Sequence, residues 1–483
     1  MRYRSTRSDH VTVSASQAIL SGIAPDGGLF IPEILPQIPF QNWQGHRFQE
    51  TAEELFAIFL TDFSRAAIRD IVEKSYGDNF DDPAVTPLHS LEEGINILEL
   101  WHGPTLAFKD IALQALPHLF SQARRIQGIR ERFLILTATS GDTGKAAMAA
   151  FEGTEDCLLA VFYPDGGVSE LQEIQMLTKS HPNVQAFALS GDFEDCQREV
   201  KKLMRSQDFL MQLDRHSLRL TSANSINIGR LIPQMVYYIQ AYFQGQPRYG
   251  RPLSVIVPAG NAGNVLAARY VKAMGLPLGE IRLVSNSNRV LFDFLKSGHY
   301  DARRKLVKTS SPSMDILTAS NMERYLHLLS GDAKLISSLM EELRMQGHFH
   351  YDREALDLAG GWTSEEEVKR TIRETFMDRR YLIDPHTAVA LASARAKPLD
   401  YPVLVVSTAS PYKFGRSVLE ALGLEVPSVI FDQIRRLHEL AGGELPRGLS
   451  ELIRKKPGPR IKIGMGDMRS AVLRFIEENH EKH

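Results

Sequence analysis

Between residues 95 and 425, short runs of aliphatic and β-branched residues alternate with longer stretches whose apolar positions recur every three or four residues. Runs of strand length in this rhythm predict buried parallel strands, and the amphipathic stretches between them predict helices covering both faces of a sheet. The expected strands are Ile95 to Leu100, Phe133 to Thr137, Leu158 to Tyr163, Val184 to Leu189, Leu218 to Ser222, Leu253 to Val257, Ile281 to Val284 and Val403 to Val406. This is the layout of an α/β enzyme. Residues 1–94 read as an N-terminal domain, with a turn-rich Gly22 to Gly28 segment and a helix that Thr51 and Glu54 open as a capping box. Residues 426–483 read as a mainly helical tail, interrupted at Lys455 to Pro459. A chain of 483 residues suits two or three domains.

Composition narrows the function. Lys and Arg total 56 against 58 Asp and Glu, so there is no general basic field for nucleic acid or an acidic membrane, and any anion must be met locally. Two cysteines, Cys157 and Cys196, cannot form a disulfide scaffold and favour a reducing compartment. No stretch reaches the roughly 20 apolar residues of a membrane span, and the charged N-terminus has no apolar run behind it. The expected location is cytoplasmic. His348, His350 and the two closing histidines lack neighbours at metal-site spacing, and no metal is expected.

Three loops lie between an expected strand and a helix start, where unpaired N–H groups and the helix dipole favour an anion. The first is Thr139-Ser140-Gly141-Asp142-Thr143-Gly144-Lys145, before an Ala-rich helix expected from near Lys145. A nucleotide-binding P-loop needs glycine where Thr139 stands and Ser or Thr where Ala146 stands, so that reading fails and a carboxylate seat remains. The second is Gly260-Asn261-Ala262-Gly263-Asn264, whose glycines let the backbone approach a phosphate; it lacks the spacing of a dinucleotide loop. The third is Asn224 to Arg230, where an arginine shares a helix mouth with amide and hydroxyl donors and suits a second phosphate.

The catalytic candidate is Lys109, in His102-Gly103-Pro104-Thr105-Leu106-Ala107-Phe108-Lys109-Asp110. A lone lysine is ordinarily a solvated surface group. Here a Gly-Pro turn and an apolar Leu-Ala-Phe run lead directly to the amine, a setting that desolvates it and lowers its pKa, so that it can form a Schiff base.

These segments, in this order, resemble threonine synthases of the longer bacterial and fungal kind, within the fold-type II pyridoxal-phosphate enzymes. The resemblance includes Tyr3 to Arg7, Gly22 to Glu33, His102 to Asp110, Ser140 to Gly144, Asn224 to Arg230, Gly260 to Gly263, Met314 to Arg324, Asp384 to Val389 and Ser407 to Phe414. It implies a tryptophan synthase β-like fold, with large and small parallel-sheet domains, the small one roughly residues 111–219 inserted in the large, plus the N-terminal domain. It implies pyridoxal 5'-phosphate held by Lys109, with Gly260, Asn261, Ala262, Gly263 and Asn264 around the cofactor phosphate, Thr408 facing the pyridine nitrogen and Asp142 beside the ring oxygen. Ser140 and Thr143 resemble the substrate-carboxylate loop; Asn227, Arg230 and Lys413 resemble the substrate-phosphate site. The chain departs from the family pattern at Ala262 and Asn264, where Phe and Asp are usual, at Lys145, where a small residue is usual, and at Ser410-Pro411-Tyr412-Lys413, where His-Pro-Ala-Lys is usual.

The implied reaction converts O-phosphohomoserine and water to threonine and phosphate. Rival readings are a related phospho-lyase releasing 2-oxobutyrate, a serine or threonine dehydratase, and a non-catalytic cofactor-carrying module. Arg230 and Lys413 argue against the dehydratase. Oligomeric state is not legible.

Overall fold

The computed structural model describes residues 1–139, 141–249, 252–397, 399 and 402–480. Two main sheets carry the fold. The larger has the order Ala359–Trp362, Leu278–Ser285, Leu253–Pro258, Val403–Ser407, Ile95–Glu99, Leu88–Glu92, parallel except for the last strand. The second has the order Lys462–Ile463, Val184–Leu189, Cys157–Pro164, Arg132–Ala138, Leu218–Thr221, and is parallel throughout. All eight expected strands are present. Their central residues are buried on both faces because helices cover both sides, which is why they read as unbroken apolar runs.

The two edge strands of the larger sheet were silent in the sequence. Ala359–Trp362 is half glycine, and Leu88–Glu92 is exposed at His89 and Ser90. Neither has a buried face to mark it.

Two expectations need correction. The second helix is Phe48–Phe59, not one opened by Thr51. Its cap is formed by Arg47 and Glu50, whose carboxylate accepts the Arg47 N–H at 2.8 Å, while Thr51 is buried and its hydroxyl accepts from the Gln240 amide. The C-terminal segment is more than a helical tail. Lys462–Ile463 adds an edge strand beside Val184–Leu189, and helix Met468–His480 buries Val472, Phe475 and Ile476 in the core of the second sheet, with Phe475 edge-on to Phe187.

In open parallel sheets, ligands bind beyond the carboxyl ends of the strands. Strands Ile95–Glu99, Val403–Ser407 and Leu253–Pro258 are neighbours in the larger sheet. Their carboxyl ends lead to the Lys109 loop, to Thr408 and to Gly260–Asn264. Arg132–Ala138 and Leu218–Thr221 are neighbours in the second sheet, and lead to the loops before Asp142 and Arg230.

Candidate active site

Lys109 is the first residue of helix Lys109–Ile126, and the loop before it is tied down on both sides. Asp110 is fully buried and accepts hydrogen bonds from the Thr105 amide at 2.8 Å and the Thr105 hydroxyl at 2.6 Å. Ala107 bridges to Ala409, and the Phe108 N–H donates to the Thr408 carbonyl at 2.9 Å. Leu106 takes a left-handed conformation, φ 61°, which a leucine tolerates only where the surrounding contacts impose it. The pairing places Thr408 beside the lysine loop.

The lysine Nζ lies 3.4 Å from Asp142 Oδ2. Asp142 heads helix Asp142–Phe151 and is surrounded by donors. Lys413 Nζ reaches its Oδ1 at 2.7 Å, Gln172 Nε2 donates to Oδ1 at 2.9 Å, and Ser313 Oγ donates to Oδ2 at 3.1 Å. Gln172 can approach only because residue 141 is glycine, with φ 133°; a Cβ there would sit 2.3 Å from the Gln172 side chain. Burial pushes the Asp142 carboxyl up, but the ammoniums of Lys413 and Lys109 and the hydrogen bonds outweigh it and hold it well below the usual range. Burial lowers the Lys109 amine, and the nearby charges of Lys413 and Arg230 lower it further against the pull of Asp142. The site therefore contains an amine whose basicity is lowered beside a carboxylate whose pKa is held down.

Arg230 lies in the first turn of helix Ile228–Tyr249 and is 2% exposed. One guanidinium N–H donates to the Ala223 carbonyl at 2.7 Å; Nε has no partner, and no acid pairs with the group among the described residues. Burial pushes it down to about 10. Asn227, expected at the substrate phosphate, is bonded within the chain. Its amide donates to the Ile19 and Ser222 carbonyls, and its oxygen accepts the Gly229 N–H, which fixes the loop before Arg230 against the N-terminal helix Ala15–Ser21. Lys413 likewise spends its ammonium on Asp142 and on the Thr105 carbonyl, at 2.9 Å.

The Gly260–Asn264 loop ends in helix Gly263–Ala273, entered through Ala262 in a left-handed conformation, φ 59°. Asn264 Oδ1 accepts the hydroxyls of Tyr237 and Tyr238, leaving its buried Nδ2 without a partner among the described residues. Asn321 donates through its amide to the Asn261 and Ser225 carbonyls, joining this loop to the one before Arg230. Gly260 lies against the Ser313 carbonyl, so the loop also meets the residue that bonds Asp142. Thr143 lies half-buried in the first turn of its helix, and its hydroxyl has no partner among the described residues. The expectation for Ser140 lies outside the described residues.

Four residues of this arrangement went unassigned in the sequence: Gln172, Ser313, Asn321 and His386. His386 Nδ1 is 2.6 Å from Asp384 Oδ2, and its Nε2 accepts the Ser313 N–H at 3.3 Å, which sets the loop that bonds Asp142. Only the Asp-Pro-His-Thr run hinted at it. Gln172 sits on an ordinary amphipathic helix, where nothing marks it locally.

Pyridoxal phosphate fits these residues. A desolvated lysine, a helix N-terminus entered by small residues, and two unsatisfied buried donors, Asn264 Nδ2 and Arg230 Nε, are what an anionic aldehyde cofactor and an anionic substrate require.

The comparisons agree. A family model described as Threonine synthase N terminus matches residues 2–76, and one described as Pyridoxal-phosphate dependent enzyme matches residues 81–408. Threonine synthase from Saccharomyces cerevisiae is 36% identical over 462 residues, covering 87% of this chain and 89% of that one. Threonine synthase-like 1 from Macaca fascicularis is 39% identical over 434 residues; the match covers 85% of this chain but 58% of that longer relative. The crystal structure of PLP-bound threonine synthase from Brucella melitensis superposes with a TM-score of 0.88 at 34% identity, covering 99% of both chains. No described helix is long and apolar enough to cross a membrane. With both family models matched in order and the lysine, its carboxylate partner and the small-residue helix mouth assembled at the strand ends, the chain belongs to the threonine synthase family of fold-type II pyridoxal-phosphate dependent enzymes.

Proposed function

We propose that this protein converts O-phosphohomoserine and water to threonine and inorganic phosphate, with Lys109 as the group that moves protons. The observation that carries the reading is Arg230. It is a buried cation without an acid partner among the described residues, close enough to lower the Lys109 amine, and it sits where a second anion besides the cofactor phosphate can be held. A dehydratase acting on serine or threonine has no use for such a group.

Bound pyridoxal phosphate supplies the electron sink that acidifies the protons next to the substrate amine. Gly260, Asn261, Ala262, Gly263 and Asn264 would hold its phosphate through backbone donors and the free Asn264 amide, and Thr408 would serve its ring. Lys109 Nζ removes the Cα proton and later returns one, in keeping with its depressed basicity. Asp142, itself held by Lys413, Gln172 and Ser313, keeps that amine in place. Arg230 grips the substrate phosphate as it leaves from Cγ, where its growing charge makes the contact strongest in the transition state. Asn227 and Lys413 support this by fixing the Arg230 loop and Asp142. Ser140 and Thr143 would hold the substrate carboxylate and so orient the substrate. We read residues 1–94 as an N-terminal domain and 95–425 as the catalytic region, with strand Leu88–Glu92 crossing that boundary to pair with Ile95–Glu99.

The test is an incubation with O-phosphohomoserine, with threonine, phosphate and 2-oxobutyrate measured on one mixture. Equal amounts of threonine and phosphate are expected. A majority of 2-oxobutyrate identifies a phospho-lyase instead, and borohydride fixation of the cofactor to any lysine other than Lys109 overturns the site assignment.

A further inference from the structure

Asn321 stands at the start of helix Met322–Ser330, where an asparagine side chain ordinarily accepts an N–H of the first helical turn. It makes no such cap here. The side chain is fully buried, and its Nδ2 donates to the Asn261 carbonyl at 3.0 Å and to the Ser225 carbonyl at 3.2 Å. The Asn321 backbone N–H adds a second bond to the Asn261 carbonyl at 3.1 Å. Gly263 leaves room for this approach, since a Cβ there would crowd Nδ2 at 3.3 Å. One amide thus holds a peptide of each of two anion loops, Gly260–Asn264 and Asn224–Arg230.

An asparagine amide can sit either way round, and Arg324 decides which. A guanidinium only donates, so the atom that meets its Nη1 at 2.6 Å is Oδ1, and the NH₂ end is left for the two carbonyls. Arg324 is itself fully buried and held on its other nitrogens. Its Nε donates at 3.0 Å to the carbonyl of Phe30, in strand Phe30–Pro32, and its Nη2 donates to the Ile226 carbonyl in the Arg230 loop. Because the guanidinium is planar and rigid, these three segments are fixed relative to one another. Glu323, between Met322 and Arg324, accepts from Arg7 Nε and Nη2, both at 2.8 Å, and ties the same turn to the N-terminal segment.

In a trans peptide the N–H points opposite to the C=O of the same plane. Holding the Asn261 carbonyl therefore sets the direction of the Ala262 N–H, one of the donors of the Gly260–Asn264 loop, and holding the Ser225 and Ile226 carbonyls sets the loop that carries Arg230. We propose that Asn321, oriented by Arg324, is a positioning residue for both phosphates, setting the backbone donors of one loop and the placement of Arg230 together. This rests on the function proposed above, in which Gly260–Asn264 takes the cofactor phosphate and Arg230 the substrate phosphate.

The experiment compares pyridoxal 5'-phosphate with pyridoxal as ligands of the apoenzyme, both followed by visible absorption, because only the first carries the phosphate. Asn321→Leu keeps the side chain's size and removes the amide without adding charge. It should weaken pyridoxal phosphate at least about tenfold, as loss of hydrogen bonding to a charged group requires, and pyridoxal by no more than about threefold. Arg324→Lys, whose single nitrogen cannot hold three oxygens in that plane, should give the same pattern. Calorimetric titration of the cofactor-saturated protein with inorganic phosphate should show binding weakened at least about tenfold in both variants. Near-UV circular dichroism checks that each is folded. A preference for pyridoxal phosphate over pyridoxal that stays within about threefold of the parent's, or inorganic phosphate binding that the variants keep, overturns the proposal, since a residue that only supports the fold would weaken both forms of the cofactor alike. The parent carries the control for the proposed function. No preference for pyridoxal phosphate over pyridoxal there, or inorganic phosphate binding that Arg230→Ala leaves intact, overturns that function's site assignment and this proposal with it.

Discussion

Asp142→Asn removes the single negative charge shared by two buried ammoniums. Lys413 is 0% exposed and Asp142 2%, so water cannot replace the lost charge. Breaking a buried pair by removing one partner typically costs about 3–5 kcal/mol. Asparagine recovers part of this as an acceptor, but only on one side. Lys413 and Gln172 donate to one carboxylate oxygen and Lys109 and Ser313 to the other, so either orientation of the amide turns its NH₂ group towards two donors. A loss of about 3 kcal/mol in transition-state stabilisation is expected, roughly 100-fold in kcat/KM.

A second measurement separates this from simple misfolding. Uptake of pyridoxal phosphate by the apoenzyme needs the neutral Lys109 amine. Burial, Lys413 and Arg230 lower that amine and Asp142 raises it, so removing Asp142 lowers it further. The pH midpoint of uptake, followed by visible absorption, should move to lower pH in the variant. A midpoint that stays fixed or rises, or a kcat/KM within about threefold of the parent, refutes the role given to Asp142.

Arg230→Ala should lower kcat/KM for O-phosphohomoserine by about 10- to 100-fold, with kcat affected as well as KM, because the contact strengthens as phosphate departs. Its cofactor content, read by visible absorption, should be unchanged. Lys145→Met should raise thermal stability below pH 8. The folded-state amine lies near 8 against an ordinary 10.5, so the unfolded chain binds more protons between those values and the parent gains stability as pH rises through that window. The advantage of methionine, at most about 3 kcal/mol, is therefore full below about pH 8 and fades towards 10.5. Melting curves across pH 7 to 10.5 check it, and an advantage that grows with pH contradicts the burial of an uncompensated ammonium.

The sequence by itself determined the strands buried on both faces and the loops that follow them. A strand covered on both sides must be apolar along its whole length, and a turn that lets backbone approach an anion must be built of small residues, so both are written in consecutive positions. Lys109, Gly260 to Asn264 and Arg230 were legible for that reason. Tertiary structure decided everything that depends on residues distant in the chain. The register of the Phe48–Phe59 helix moved because Thr51 is taken by Gln240, nearly two hundred residues on, and the last helix became part of a core because Lys462–Ile463 found a free sheet edge. The partners of Asp142 come from residues 109, 172, 313 and 413, none with a local signature of that task. Asn227 and Lys413 carry the right chemistry for a phosphate, and only their neighbours show that they also bond backbone carbonyls and, for Lys413, a carboxylate. A side chain's type is fixed by sequence, but the hydrogen bonds left free for a ligand are those that folding has not already used.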